Sequence, residues 1–307
     1  MSDVPSLSDT YTRAQARPSA TPRPGATAPC RGTPVPNSGD PFSAKEWDRH
    51  CARVAWEMIE NVGRFSTPIS LSLYADQVGK HLGTGSYHDV LGVRLLLTCE
   101  HVLRHRGANN LAHRLLGHDP YVVLNGVSSG TEGTIDAAIA LISADKWGDI
   151  RHASQAVPLS RWDIAHRPVA SELFFVHGYA LENSQFIYDD VRTDGAAYVC
   201  LQASLPAHRD IDDRFHFALE YRRDAAKPAF GDRGLPDPHA MSGSLVWNTR
   251  FVEAGLAGRK WLPSDAVVTG LLWSWPEGRC IVATRIEYVR AFVLSALDSW
   301  SRAVSGS

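Results

Sequence analysis

Three short stretches hold the residue types that acyl-transfer chemistry needs. His101 follows the run Leu95, Leu96, Leu97, Thr98, Cys99, Glu100; Asp136 precedes the apolar run AAIALI; and Ser242 lies in Ala240, Met241, Ser242, Gly243, Ser244, Leu245. A serine hydroxyl is a weak nucleophile at neutral pH. It needs an imidazole to accept its proton, and a buried carboxylate to orient that imidazole and stabilise its charged form. Three consecutive leucines read as a buried strand, and a histidine straight after such a strand is held rigidly where the sheet opens to solvent. Taken singly, each residue also fits a structural role, as a satisfied histidine at a strand end or a Ser/Gly turn between strands. Acid, base and nucleophile together, in the order His, Asp, Ser, carry the argument.

With these residues the chain resembles a trypsin-like (chymotrypsin-fold) serine protease of the bacterial intracellular kind without disulfides. The likeness runs through Gly83-Thr84-Gly85, LLTCEHV ending at Val102, Asp136 with its apolar run, Phe174 to Tyr179, and Ser242-Gly243-Ser244, and covers roughly residues 63 to 290. The resemblance implies that Ser242 is the nucleophile, His101 the general base and then acid, and Asp136 the orienting acid. It also implies an oxyanion hole from the amides of Ala240 and Ser242, and a substrate cleft lined by Trp273, Ser274 and Trp275. Three positions depart from the pattern. Ala240 stands where glycine is usual, Leu245 replaces a proline, and Pro276 replaces a glycine and has no N–H to donate. Family oxyanion loops use a backbone conformation that glycine tolerates best, so Ala240 is expected to strain the hole or to leave it unformed until substrate binds.

Rival assignments follow from other residues. Asp163, in Arg161-Trp162-Asp163-Ile164-Ala165, offers a second acid, but Pro168 soon after it argues against a central strand there. His101 and His105, at i and i+4, could face one metal from a helical turn, yet Glu100 precedes the pair instead of lying between its members. No metal and no cofactor is therefore expected. A pocket for basic side chains would carry an acid six residues before the serine; that position is Pro236, flanked by Asp237, so the preferred side chain stays unassigned.

The rest of the chain frames these residues. A 307-residue chain with 44% hydrophobic content has ample core, and a net charge of -2 implies neither a nucleic-acid nor an anionic-membrane partner. Five scattered cysteines (Cys30, Cys51, Cys99, Cys200, Cys280) argue for a reducing compartment, and no stretch reads as a signal peptide or membrane span, so the cytoplasm is expected. Residues 1–42, rich in Pro, Ser, Thr, Ala and Gly, read as a disordered leader. Over 43–62, Trp47, Cys51, Val54, Ala55, Met58 and Ile59 recur at helical spacing behind a Ser43 cap, predicting a helix that packs on the core or docks a partner. Short strands broken by turn residues predict an all-β protein. The resemblance makes this two six-stranded antiparallel barrels, 63–165 with His101 and Asp136 and 166–307 with Ser242, closed by a helix from Glu287 to Val304. The expected activity is a serine endopeptidase acting on a protein or peptide through an acyl-enzyme, restrained by a protein activator or inhibitor. The alternative is a non-catalytic protein of the same fold that binds peptides or a partner, favoured by Ala240, Leu245 and Pro276.

Overall fold

Short apolar runs separated by turn residues become strands here, and the strands assemble into two largely antiparallel sheets, each curled into a half-barrel. The computed structural model describes residues 25–28, 44–72, 79–107, 110–118, 120–187, 190–223, 227–228, 234–276 and 280–305. The first sheet runs Tyr121–Val123, Asn110–Arg114, Ser66–Ser72, Lys80–Val90, Val93–Thr98, Ala137–Leu141, Ser128–Thr131. The second runs Gln202–Ala203, His216–Glu220, Cys280–Arg285, Val267–Ser274, Leu245–Asn248, Phe174–Ile187, Asp190–Cys200, Gly25–Ala28, Lys227–Pro228. Two such half-barrels with a helix at each end fit the chymotrypsin-like double barrel. Very short strands at the margins carry each sheet beyond six.

Burial explains which segments became strands. Leu95, Leu96, Leu97 and Thr98 are all buried, as are Ala137 to Ala140 beside them, so the continuous apolar run is covered on both faces. The hairpin from Lys80–Val90 into Val93–Thr98 turns on Leu91 and Gly92, whose positive φ values of 54 and 81° suit a two-residue turn between twisted strands.

Helix Ala44–Val62 buries Cys51, Val54, Ala55, Met58, Ile59 and Val62 along one stripe, which makes it part of the core. Ser43 lies outside the described residues, as does the predicted leader apart from the strand Gly25–Ala28, which pairs in parallel with Ala196 to Tyr198. Helix Ile286–Ser305 buries Ile286, Val289, Val293, Ala296 and Leu297. It also reaches back to the first sheet, where the Trp300 indole N–H donates to Ser129 Oγ at 2.9 Å. No described helix is long and apolar enough to cross a membrane.

The sheets meet where backbones come close. A Cβ on Gly243 would lie 1.9 Å from the carbonyl oxygen of Thr84, and one on Gly178 would lie 2.0 Å from Ser244 Oγ. Glycine at position 243 lets the loop around Ser242 settle against the first sheet, and glycine at position 178 lets a strand of the second sheet pack close to the same loop.

Candidate active site

His101 and Asp136 come from neighbouring strands of the first sheet. Val93–Thr98 pairs with Ala137–Leu141, so the residues just beyond these strands emerge side by side. His101 sits in the single helical turn Glu100–Leu103, and Asp136 in the loop entering its strand with a left-handed φ of 44°. That conformation costs an L-residue about 1–2 kcal/mol, and the contacts of the carboxylate offset it. Asp136 Oδ2 accepts from His101 Nδ1 at 2.6 Å, while Oδ1 accepts from the His101 backbone N–H at 3.0 Å. An ionised carboxylate only accepts, so Nδ1 carries a proton, and in the neutral ring this tautomer leaves the Nε2 lone pair for a reactant. Asp136 is buried, whereas the His101 side chain is 39% exposed, leaving its far edge open to a reactant.

Two residues unremarked in sequence hold the Asp136 loop. Thr134 O accepts from His216 Nε2 at 2.7 Å and Ile135 O from Thr284 Oγ1 at 2.9 Å, both from the second sheet. His216 Nδ1 accepts from the Asp212 N–H at 3.0 Å, so this buried ring is neutral, and burial lowers its pKa.

Ser242 lies in the second of two consecutive tight turns. The Met241 N–H donates to Pro238 O, and the Ser244 N–H to Met241 O, each at 3.0 Å. The third residue of each turn has positive φ: 69° at Ala240 and 91° at Gly243. Ala240 therefore adopts the glycine-like conformation. A web of hydrogen bonds surrounds it. Ala240 O accepts from Thr84 Oγ1 at 3.2 Å, Ser242 O from the Thr84 N–H at 2.9 Å, and Leu272 O from the Gly243 N–H at 2.8 Å. Among the described residues, the amides of Ala240 and Ser242 donate to no other protein group.

The Ser242 hydroxyl donates to Trp273 O at 3.2 Å rather than to His101. That carbonyl is available because Trp273 is the extra residue of a bulge: Leu272 pairs with Ala283 and Ser274 with Val282, leaving Trp273 outside the register. His101, Ala240, Ser242, Trp273, Ser274 and Trp275 all line one cleft of about 350 Å³, and Asp136 reaches it through its bonds to His101. The chain's Asp237 is already occupied, bonding the ring and backbone N–H of His239 and lying 3.7 Å from Arg223.

The rival residues sit elsewhere. Asp163 accepts from the Ile164 N–H and faces Arg250 at 3.6 Å. His105 is exposed in the turn Arg104–Gly107, and His113 is buried with Nδ1 2.6 Å from the Tyr87 hydroxyl. The residue that sequence reading undervalued is Thr84. Its flanking glycines let side chains approach closely, Val102 of the turn Glu100–Leu103 at Gly83 and Leu96 of the neighbouring strand at Gly85. A small polar residue between two glycines was the available signal.

No protein-family profile matches the chain, and neither does any curated protein. Among solved structures it is similar to one described as showing that aromatic interactions drive the coupled folding and binding of the intrinsically disordered Sesbania mosaic virus VPg protein. The TM-score is 0.41 at 14% identity, covering 74% of this chain and 95% of that one.

Proposed function

We propose that this protein is a serine endopeptidase that hydrolyses peptide bonds through an acyl-enzyme. The observation that carries the reading is the double grip of Asp136 on His101, ring and backbone together, in the cleft that also holds Ser242. In the reaction, rotation about the Ser242 side chain releases its hydroxyl from Trp273 O. The proton passes to His101 Nε2 as Oγ bonds to the substrate carbonyl carbon. Negative charge gathers on the carbonyl oxygen, which the amides of Ala240 and Ser242 stabilise. The C–N bond then breaks, the imidazolium gives its proton to the leaving amine, and water repeats the cycle on the ester. Asp136 stays ionised throughout, holding the tautomer and balancing the imidazolium.

The substrate is a protein or peptide segment lying along Trp273, Ser274 and Trp275. The four described cysteines, Cys51, Cys99, Cys200 and Cys280, are buried and none is in a disulfide, which supports a reducing compartment such as the cytoplasm. A protease housed there needs restraint, and the resting bond from Ser242 to Trp273 O supports control by a partner that shifts the serine.

The same bond favours a second reading, a non-catalytic peptide-binding protein of this fold. Labelling with a fluorophosphonate, read by intact mass, separates the two. One adduct on the native chain, absent from Ser242→Ala, is expected for the peptidase. The folded native chain unlabelled, with or without cell extract, is expected for the binder. Once a substrate is found, Ser242→Ala should lower its turnover about 10⁴-fold or more.

A further inference from the structure

Thr84 lies on the strand Lys80–Val90 of the first sheet, is fully buried, and hydrogen-bonds through each of its polar groups, its two donors going to the loop around Ser242. Its N–H donates to Ser242 O at 2.9 Å, and its hydroxyl donates to Ala240 O at 3.2 Å. The same hydroxyl oxygen accepts the Tyr179 N–H at 2.9 Å, and Thr84 O accepts from Thr98 Oγ1 at 2.8 Å. One residue of the first half-barrel thus holds the carbonyls on both sides of Met241, while bonding to a strand of the second.

The consequence appears when the loop's backbone groups are followed in order. Ala240 O goes to Thr84 Oγ1, Met241 N–H to Pro238 O, and Met241 O takes the Ser244 N–H and hydroxyl. Ser242 O then goes to the Thr84 N–H, and Gly243 N–H to Leu272 O. The N–H groups of Ala240 and Ser242 are the ones left over. A left-handed alanine is unstable on its own, so something must hold its peptide in place. The side-chain partner of the Ala240 carbonyl is the Thr84 hydroxyl.

We propose that Thr84 is the positioning residue of this loop: its hydroxyl locks the Ala240 peptide so that the Ala240 and Ser242 amides stay turned to the cleft. This deepens the peptidase reading and rests on it for the chemical consequence. The hydroxyl itself touches no reacting atom; it acts through Ala240.

The test compares native protein, Thr84→Val and Thr84→Ser. Valine keeps the branched shape and the backbone bonds but removes the hydroxyl, whereas serine retains it. With each variant verified as folded by circular dichroism, fluorophosphonate inactivation is resolved into its maximal rate and its half-saturating concentration. Removing an oxyanion donor costs about 10²–10³-fold in rate, so displacing one should lower the maximal rate of Thr84→Val about 10- to 100-fold. The half-saturating concentration should stay near native, and Thr84→Ser should recover at least half the native rate. A native rate in Thr84→Val, or a folded Thr84→Ser as slow as valine, would overturn the proposal. In parallel, the ¹⁵N–¹H resonances of Ala240 and Ser242 are followed in all three proteins. They should move in Thr84→Val and return in Thr84→Ser, and unmoved resonances refute the positioning role whatever the reactivity. If the native chain takes no label, the peptidase reading fails while these resonances still decide the role of Thr84.

Discussion

At the scale of single residues, Asp136 has the clearest chemical signature, because a carboxylate can accept both bonds from His101 and an amide cannot. Asp136→Asn keeps the volume but presents an NH₂ to one of two donors, which forces the imidazole into the wrong tautomer. Under the peptidase reading this should lower turnover about 10⁴-fold at neutral pH, measured as kcat on any confirmed substrate. Ala240 carries the opposite kind of information. Its type reads as a defect in sequence, yet its φ of 69° is the conformation glycine would take, held by neighbours that no local pattern reveals. Ala240→Gly should therefore relieve strain of about 1 kcal/mol and raise the melting temperature by roughly 2–4 °C. A fall in melting temperature would show that the conformation is unstrained. His101, Asp136 and Ser242 were legible because their chemistry is local to short motifs. Thr84 and His216 were not, since their partners lie 156 and 82 positions away in sequence.

At the scale of elements, each half of the site is supported by the opposite sheet. His216 and Thr284 reach from the second sheet to the Asp136 loop, and Thr84 reaches from the first to the Ser242 loop. Strands with continuous apolar runs, such as Val93–Thr98 and Ala137–Leu141, could be read from sequence because burial on both faces leaves little choice of residue. Asn110–Arg114 and Ser128–Thr131 could not: one is short and flanked by polar ends, the other is Ser-Ser-Gly-Thr, and only the sheet makes them strands. The hairpin Phe174–Ile187 with Asp190–Cys200 runs on beyond a bulge near Tyr179, where Ser184 pairs with Thr193 and Gln185 with Arg192, residues with no apolar pattern to mark a strand. The helix Ala44–Val62 was read correctly in position and left open in role. Its buried stripe decides for the core. Met58→Ala should cost about 2–5 kcal/mol in denaturant unfolding. Glu57→Ala, which loses only an exposed pair with Arg53 at 3.6 Å, should cost under about 0.5 kcal/mol. Equal, small effects from both would mean that the helix is not part of the cooperative core.

At the scale of the whole molecule, the buried histidines set how stability responds to acid. Burial pushes the pKa of His88 and His113 down to about 3, and of His166 and His177 down to about 4, with Lys146 adding to the effect at His113 and Arg285 at His166. Burial disfavours the charged form of each ring. His88 Nδ1, moreover, accepts the Trp162 indole N–H at 3.0 Å, which a protonated ring could not do. In the unfolded chain these rings take up protons near pH 6.5. Between pH 6.5 and 4 the unfolded state therefore binds more protons than the folded one, and stability falls as pH falls. It is fully present above pH 6.5 and drains away toward the folded values. Near pH 5 the difference is about three to four protons, or roughly 4–5 kcal/mol per pH unit, against a total stability on the order of 5–15 kcal/mol. Glu172 and Glu220, whose carboxyls burial raises, oppose part of this slope. The lowered carboxyls of Asp237 and Asp265 add to the loss only once pH drops below about 4. The protein should thus unfold within about one to three pH units below 6.5. Denaturant titrations at half-unit steps from pH 8 to 4 measure the slope directly, and a flat stability between pH 7 and 5 would show that these four rings are not held neutral by the fold. Because His177 and His166 lie in the second half-barrel and His88 and His113 in the first, the acid transition should take both sheets together, with the ¹⁵N–¹H resonances of Ala112 and Val176 lost at the same pH.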